Sequence, residues 1–281
     1  MDSKLLTPYL NYSQAKLQHN SFLSRKYTLE KFFRTYHQIT EQTIAQFISD
    51  GRDKGMEQNS IQHHLGELAR FLVYCRKHGL EDEEMDICID FCRDFRPRSI
   101  MQPVATKENV QQLIAKAGSK PYAVIVALQA FVGLRVSEVL KLQRGDFNQD
   151  GTILIRSPKN GKDRLVTMPK GTWLDSSTYL QKALAELNPH DQLFSVKQNS
   201  YIVWLKRTTA KLGMEGITSH SFRRFFATYS QEVGIPIATL KEQLGHSSLQ
   251  ATSHYLTVTK AMRKQVKDMF NQENVNQQDT E

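Results

Sequence analysis

Four short islands in the second half of the chain combine residue types suited to chemistry on an anionic group. They are Gly133-Leu-Arg135-Val-Ser-Glu138, Lys159-Asn-Gly-Lys162, His220-Ser-Phe-Arg223, and Leu244-Gly-His246 leading to Tyr255. A guanidinium presents paired donors that match the oxygens of a phosphate, an imidazole takes a proton near neutral pH, and an ammonium can give one. Alone, each island is weak, because an arginine after a glycine is ordinarily a surface residue and a histidine on a helix is ordinarily structural. Order and spacing carry more weight. Arg135 and Lys159 are 24 positions apart, His220 and Arg223 lie one helical turn apart on a shared face, and His246 precedes Tyr255 by nine positions. Glu138 stands one turn after Arg135, within reach of its guanidinium.

This ordered set resembles the catalytic signature of the tyrosine recombinases of the phage-integrase type: Arg, hairpin Lys, His-x-x-Arg, Gly-His and a nucleophilic Tyr. The stretch Thr218-Ser-His-Ser-Phe-Arg-Arg-Phe-Phe-Ala-Thr228 resembles the family's most recognisable box, and the likeness spans roughly Val104 to Lys260. It implies a cofactor-free enzyme that cuts and rejoins DNA through a 3′-phosphotyrosine at Tyr255, conserving the bond energy so that neither metal nor ATP is needed. Only about one phenol in a thousand is ionised at pH 7, so Tyr255 needs help. Arg135 and Arg223 would grip the non-bridging oxygens and stabilise the pentavalent transition state, with Glu138 fixing the first guanidinium. The resemblance gives His220 a general-base or positioning role, His246 a hydrogen bond to phosphate, and Lys159 protonation of the leaving 5′-oxygen. Lys162 and Arg164, rivals for that acid, align instead with DNA-facing residues of the hairpin. Arg224, where many members carry another residue, is kept as a third DNA-binding candidate. The expected partners are double-stranded recombination sites bound by a homotetramer on two synapsed copies, with accessory DNA-bending proteins admissible. The alternatives are a type IB topoisomerase or telomere-resolvase-like enzyme using the same constellation, or a DNA-binding regulator that retains the fold.

Other readings of single residues compete with these. Tyr179, Tyr201 and Tyr229 are rival nucleophiles; Tyr229 follows Phe222 and Phe226 at helical spacing, which predicts a core position. Cys75, His78, Cys88 and Cys92 can be drawn as a zinc site, yet Cys88 and Cys92 share a stripe with Met85, which favours buried core thiols and no metal. The adjacent pair His63-His64 points in two directions on a helix and suits surface or core better than ligation.

The elements that must position these residues read as mainly α with a small antiparallel β-sheet. Helices are expected at Thr28 to Tyr36, Thr40 to Ile48, from Ser60 to a left-handed end at Gly79, and Glu81 to Phe95. Pro97 and Pro103 bracket an extended linker. Beyond it, Thr106 starts a helix, and Tyr122 to Val132 forms an apolar one that Gly133 ends. Asp150-Gly151 and Asn160-Gly161 are hairpin signals around strands Thr152 to Arg156 and Leu165 to Met168. After Tyr255, a helix capped by Thr259 with Met262, Val266, Met269 and Phe270 on one stripe is expected, a segment that family members commonly donate to a neighbouring subunit. The domains are then residues 1–96, a helical core-binding domain; 97–104, a linker; 105–270, the tyrosine-recombinase catalytic domain; and 271–281, a polar tail. The resemblance makes the two domains a C-shaped clamp around DNA.

Bulk properties agree with a polyanion partner. The net charge of +8 lies wholly beyond residue 100: the first hundred residues hold 14 basic and 14 acidic side chains, the remainder 23 and 15. A basic surface favours nucleic acid because neutralised phosphates release counterions. No apolar run is long enough for a bilayer, the first ten residues lack a signal-peptide core, and three cysteines, an odd number, argue against a disulfide framework. The expectation is a cytoplasmic, prokaryotic or phage-encoded protein with no membrane association.

Overall fold

The computed structural model describes residues 5–79, 83–97, 103–118, 120–156 and 163–245. Lys159, Lys162, His246, Tyr255, the Asn160-Gly161 turn and the helix expected after Thr259 lie outside the described residues. The chain divides into two compact units, Met1–Ile100 and Met101–Glu281.

The first unit is helical: α1 (Leu6–Lys16), α2 (His19–Tyr36), α3 (Glu41–Asp53), α4 (Gln58–Lys77) and α5 (Glu83–Asp94). Thr40 caps α3 by accepting from the Thr43 amide at 3.2 Å, so an otherwise orphaned first-turn N–H is satisfied. The helices α4 and α5 pack on each other, α2 lies on α4, and α3 on α5. Their shared core holds Leu29, Phe32, Ile44, Ile61, Leu65, Leu68, Phe71 and Leu72. Each such side chain stabilises the fold by about 1.5–3 kcal/mol. The α5 stripe of Met85, Cys88, Ile89 and Cys92 is buried in the same core. Burial pushes the Cys75 thiol up to about 11 and that of Cys92 to about 12, so both stay protonated at neutral pH. The helix expected from Thr28 begins nine residues earlier, at His19.

The second unit starts with α6 (Lys107–Ala117), capped by Thr106 as its sequence predicts, and α7 (Pro121–Ala127). One uninterrupted α-helix to Val132 was expected; instead Leu128–Val132 widens into a π turn, closed by a bond from the Gly133 amide to the Leu128 carbonyl. Every residue from Ala123 to Leu128 is fully buried, so nothing amphipathic fixes the helical period there. Gly133 ends the turn at φ 77°, and a Cβ at that position would lie 2.5 Å from the Phe226 ring, so only glycine fits. The short helix α8 (Val136–Val139) follows.

Strands β1 (Thr152–Ile155) and β2 (Arg164–Thr167) pair antiparallel, Thr152 opposite Thr167 and Ile155 opposite Arg164. Asp150-Gly151 forms the turn that brings Phe147 back against Ile153, with the Asp150 carboxylate accepting from the Thr152 amide. Four helices complete the described unit: α9 (Thr178–Glu186), α10 (Gln198–Lys211), α11 (Ser219–Glu232) and α12 (Ile237–Leu244). The architecture is therefore mainly helical with a two-stranded antiparallel sheet. No described helix is long and apolar enough to cross a membrane.

Candidate active site

Arg135 leaves the Gly133 turn as the residue before α8, and its neighbour Glu138 faces back at it. Its amide donates to Glu138 Oε2 at 2.8 Å, and its Nη1 donates to Oε1 at 2.9 Å. From β2, Arg164 meets the same carboxylate side by side, Nη1 to Oε1 at 3.1 Å and Nη2 to Oε2 at 3.0 Å. Burial alone would raise the Glu138 carboxyl, but the hydrogen bonds and charge of Arg164, joined by the amide and charge of Arg135, outweigh it and hold the group below the ordinary glutamate value. Glu138 is therefore ionised at neutral pH and fixed by four bonds.

The arrangement corrects one expectation about Arg164. It was placed among the DNA-facing hairpin residues, yet its side chain is only 14% exposed, grips Glu138, and donates from Nε to the Gln243 carbonyl at 3.2 Å. Its guanidinium is committed to partners within the protein.

Helix α11 supplies His220 and Arg223 from one face. Arg223 is 1% exposed; its Nη1 donates to the Gly133 carbonyl at 2.6 Å and its Nη2 to that of Leu244. It thus ties the turn carrying Arg135 to the end of α12. His220 is exposed at its outer edge, but partial burial of the ring, then the charges of Arg223, Arg224 and Arg135, hold its imidazole below the ordinary histidine value. It is neutral at pH 7 and able to accept a proton. Arg224 is half-buried on the same helix.

Arg135, His220 and Arg223 converge on one pocket of about 120 Å³, also lined by Gln129, Ser137, Gln198 and Ser219. The pocket offers cationic donors and a neutral imidazole to a small anionic group. Sequence reasoning missed those four polar residues. Gln129 did carry a signal, being an amide inside the apolar run from Ala123 to Val132; it accepts from the Tyr201 hydroxyl at 2.7 Å and reaches the Ser219 carbonyl. Ser137 and Ser219 stood inside the motif islands without a role assigned to them, and Gln198 carried no signal.

Of the rival tyrosines, Tyr201 is fully buried, its phenol pushed up by that burial, and Tyr179 donates to the Leu193 carbonyl at 2.9 Å. Tyr229 corrects the expectation of a core position: it is 47% exposed and stacks on Phe225, since the buried face of α11 runs through Phe222 and Phe225. His64 shares a hydrogen bond with Thr28 and His63 with Ser24.

The sequence profile of the phage integrase family matches residues 103–262, more than half of the chain. The chain belongs to the phage integrase family, the tyrosine recombinases. Among relatives of this family, the tyrosine recombinase XerA of Thermococcus kodakarensis is 33% identical over 216 residues, 68% of this chain and 76% of that protein. XerA of Pyrococcus furiosus is 29% identical over 280 residues, 96% of this chain and 94% of that one. Among solved structures, a Tn1549 transposon integrase in complex with transposon right end DNA superposes with a TM-score of 0.71 at 16% identity, covering 96% of this chain and 99% of that one, a likeness of fold. The integrase match takes in the Arg135 turn, both strands, α11 and α12, and so encloses the whole pocket.

Proposed function

We propose that this recombinase acts on specific DNA sites, cleaving and rejoining strands through a 3′-phosphotyrosine at Tyr255 and a Holliday junction. The observation that carries the reading is the convergence of Arg135, His220 and Arg223 on one small pocket. A scissile phosphate seated there meets the exposed guanidinium of Arg135, oriented by Glu138, and Arg223 at the wall. Both stabilise charge that builds on the non-bridging oxygens as the phosphorus becomes five-coordinate. The Tyr255 oxygen attacks phosphorus while neutral His220 accepts or shares its proton. The bond to the 5′-oxygen breaks, and Lys159 delivers the proton that this oxygen needs to leave. His246 adds a hydrogen bond to the phosphate. Ligation is the reverse, with a 5′-hydroxyl from the partner strand attacking the phosphotyrosine, so the sequence needs neither metal nor ATP.

The basic excess beyond residue 100 supports a DNA partner, as does a fold shared with an integrase solved on transposon DNA. In this reading residues 1–96 form the core-binding domain, 105–270 the catalytic domain, and four copies assemble on two sites. The test is a nicked suicide substrate from which the ligating end diffuses away. The wild-type chain should leave a denaturation-resistant DNA adduct, in excess chelator as well as without it, and Tyr255→Phe should bind the site yet leave none. An adduct with the phenylalanine variant sinks the assignment.

A further inference from the structure

Among the described residues, strand β2 has a strand neighbour on one edge only, β1. The opposite edge presents backbone groups that need partners. At Thr167 both are taken by one side chain from α12: the Thr167 amide donates to Gln243 Oε1 at 3.1 Å, and Gln243 Nε2 donates to the Thr167 carbonyl at 3.0 Å. A carboxamide carries a donor and an acceptor side by side, so Gln243 pairs with β2 as a third strand would. The main-chain carbonyl of Gln243 takes the Nε of Arg164 at the other end of β2. Its Nε2 also lies 3.4 Å from the Val132 carbonyl, next to the turn that carries Arg135. One residue of α12 therefore holds both ends of a strand and touches the π turn.

These segments lead along the chain into groups used in the reaction. The hairpin with Lys159 ends in β2, and Gly245 precedes His246. We propose that Gln243 is a positioning residue that locks β2, and with it the hairpin bearing the proton donor, in register with the end of α12. This rests on the reading of Lys159 and His246 given above. Gln243 touches no reacting atom; it fixes where the strand stands.

The test uses the full chain, with Gln243→Met, close in size and free of the three side-chain hydrogen bonds, and Gln243→Glu. Single-turnover cleavage is measured on an ordinary nicked site and on one with sulfur at the bridging 5′ position, where a thiolate leaves without a proton. Site binding should stay within about threefold of wild type, since no proposed DNA contact is removed. Cleavage of the ordinary site by Gln243→Met should fall roughly ten- to a hundredfold, as expected for a misplaced catalytic group. On the sulfur substrate most of that loss should disappear. Gln243→Glu adds a pH signature, because the introduced carboxyl offers donor and acceptor only when protonated: its deficit relative to wild type should deepen as pH rises. If Gln243→Met folds poorly, the pH trend of Gln243→Glu decides the matter. Wild-type rates for Gln243→Met, an equal loss on both substrates, or a pH-independent deficit would each overturn the inference while leaving the recombinase reading standing. Absence of an adduct from the wild-type chain on either substrate overturns both.

Discussion

Glu67 in the first unit and Glu138 in the second are built alike. Each is a nearly buried carboxylate, 9% and 10% exposed, held between two arginines: Arg25 and Arg70 for Glu67, Arg135 and Arg164 for Glu138. Around Glu67 one arginine, Arg25, closes inward, while Arg70 is 56% exposed on the helix surface. Arg25 donates to Glu67 Oε2 at 2.6 Å and to Ser13 Oγ, and its guanidinium lies over the Tyr9 ring, so the cluster joins α1, α2 and α4. Around Glu138 one arginine turns outward. Arg135 is 37% exposed and lines the pocket shared with His220 and Arg223. A glutamate holding one inward and one exposed arginine is therefore no functional signature in itself; what distinguishes the second case is that its exposed cation lines a pocket together with a histidine and another arginine.

The sharpest way to break the comparison is to remove one member from each cluster. Arg135→Ala should lower single-turnover cleavage by about 10²–10³-fold, the effect of deleting one preorganised oxyanion donor. Its thermal unfolding should barely change, because the side chain is partly exposed and Arg164 still neutralises Glu138. Glu67→Gln should do the reverse, destabilising the first unit by about 3 kcal/mol through an uncompensated buried arginine, while cleavage at a temperature where the chain stays folded is retained. Denaturant melts with adduct formation on the same samples read both arms. A large catalytic loss in Glu67→Gln, or a large stability loss in Arg135→Ala, would erase the distinction.

How much of this was legible in the sequence follows from what each feature depends on. Local signals were readable: Thr40 and Thr106 as caps, Gly133 as a stop, the β1 and β2 runs within a residue at their ends, and the α5 stripe of Met85, Cys88 and Cys92. So was the pairing of Glu138 with Arg135, since one helical turn separates them. Contacts between distant segments were not. Arg164 lies 26 residues from Glu138 and Gln243 lies 76 from Thr167, and no periodicity encodes such pairings. An arginine on a basic hairpin reads as a DNA contact until the fold shows a carboxylate behind it. Tyr229 misled for a related reason: its spacing from Phe222 placed it on a stripe, but the packed face of α11 is rotated toward Phe225.

A smaller effect sharpens the contrast at the glycines that end helices. Gly79 after α4 and Gly245 after α12 sit at φ 84° and 65°, both left-handed. Nothing lies within 4 Å of a Cβ built on Gly79, whereas one on Gly245 would stand 2.8 Å from the Arg164 guanidinium carbon. Asparagine tolerates this backbone, so it isolates the steric difference. Gly79→Asn should cost less than about 0.5 kcal/mol, and Gly245→Asn about 1–2 kcal/mol together with a measurable loss of cleavage, because Arg164 must shift off Glu138. Equal melting shifts at the two positions would show that Arg164 yields without consequence.

The smallest expected effect is the pH dependence of stability, and it tests whether the pocket's charges act on His220 as the geometry implies. The imidazole is held below its ordinary value of 6.5 by partial burial and by Arg223, Arg224 and Arg135. An unfolded chain therefore binds that proton more readily than the folded one, and stability falls as pH drops below 6.5, the loss being complete once pH passes the lowered folded value. Glu138 acts in a separate, more acidic window. Its folded value lies below 4.5, so the stability it contributes is present above 4.5 and disappears as pH falls through that lower value. His220→Gln, which cannot titrate, should flatten the melting profile just below pH 6.5 and leave the Glu138 region unchanged. The same depression keeps His220 neutral slightly below 6.5, so wild-type cleavage should persist into a range where an ordinary histidine is already charged. Removing one cation relieves part of the depression and leaves that due to burial: in Arg224→Ala the imidazole should titrate closer to 6.5 than in the wild type, and the acid limb of cleavage should move up with it. Proton resonances of the histidine ring, followed through the titration in both chains, give the comparison directly. A His220 resonance that titrates at 6.5 in the wild type would mean that the imidazole is less buried, and the pocket's cations farther from it, than the structure places them.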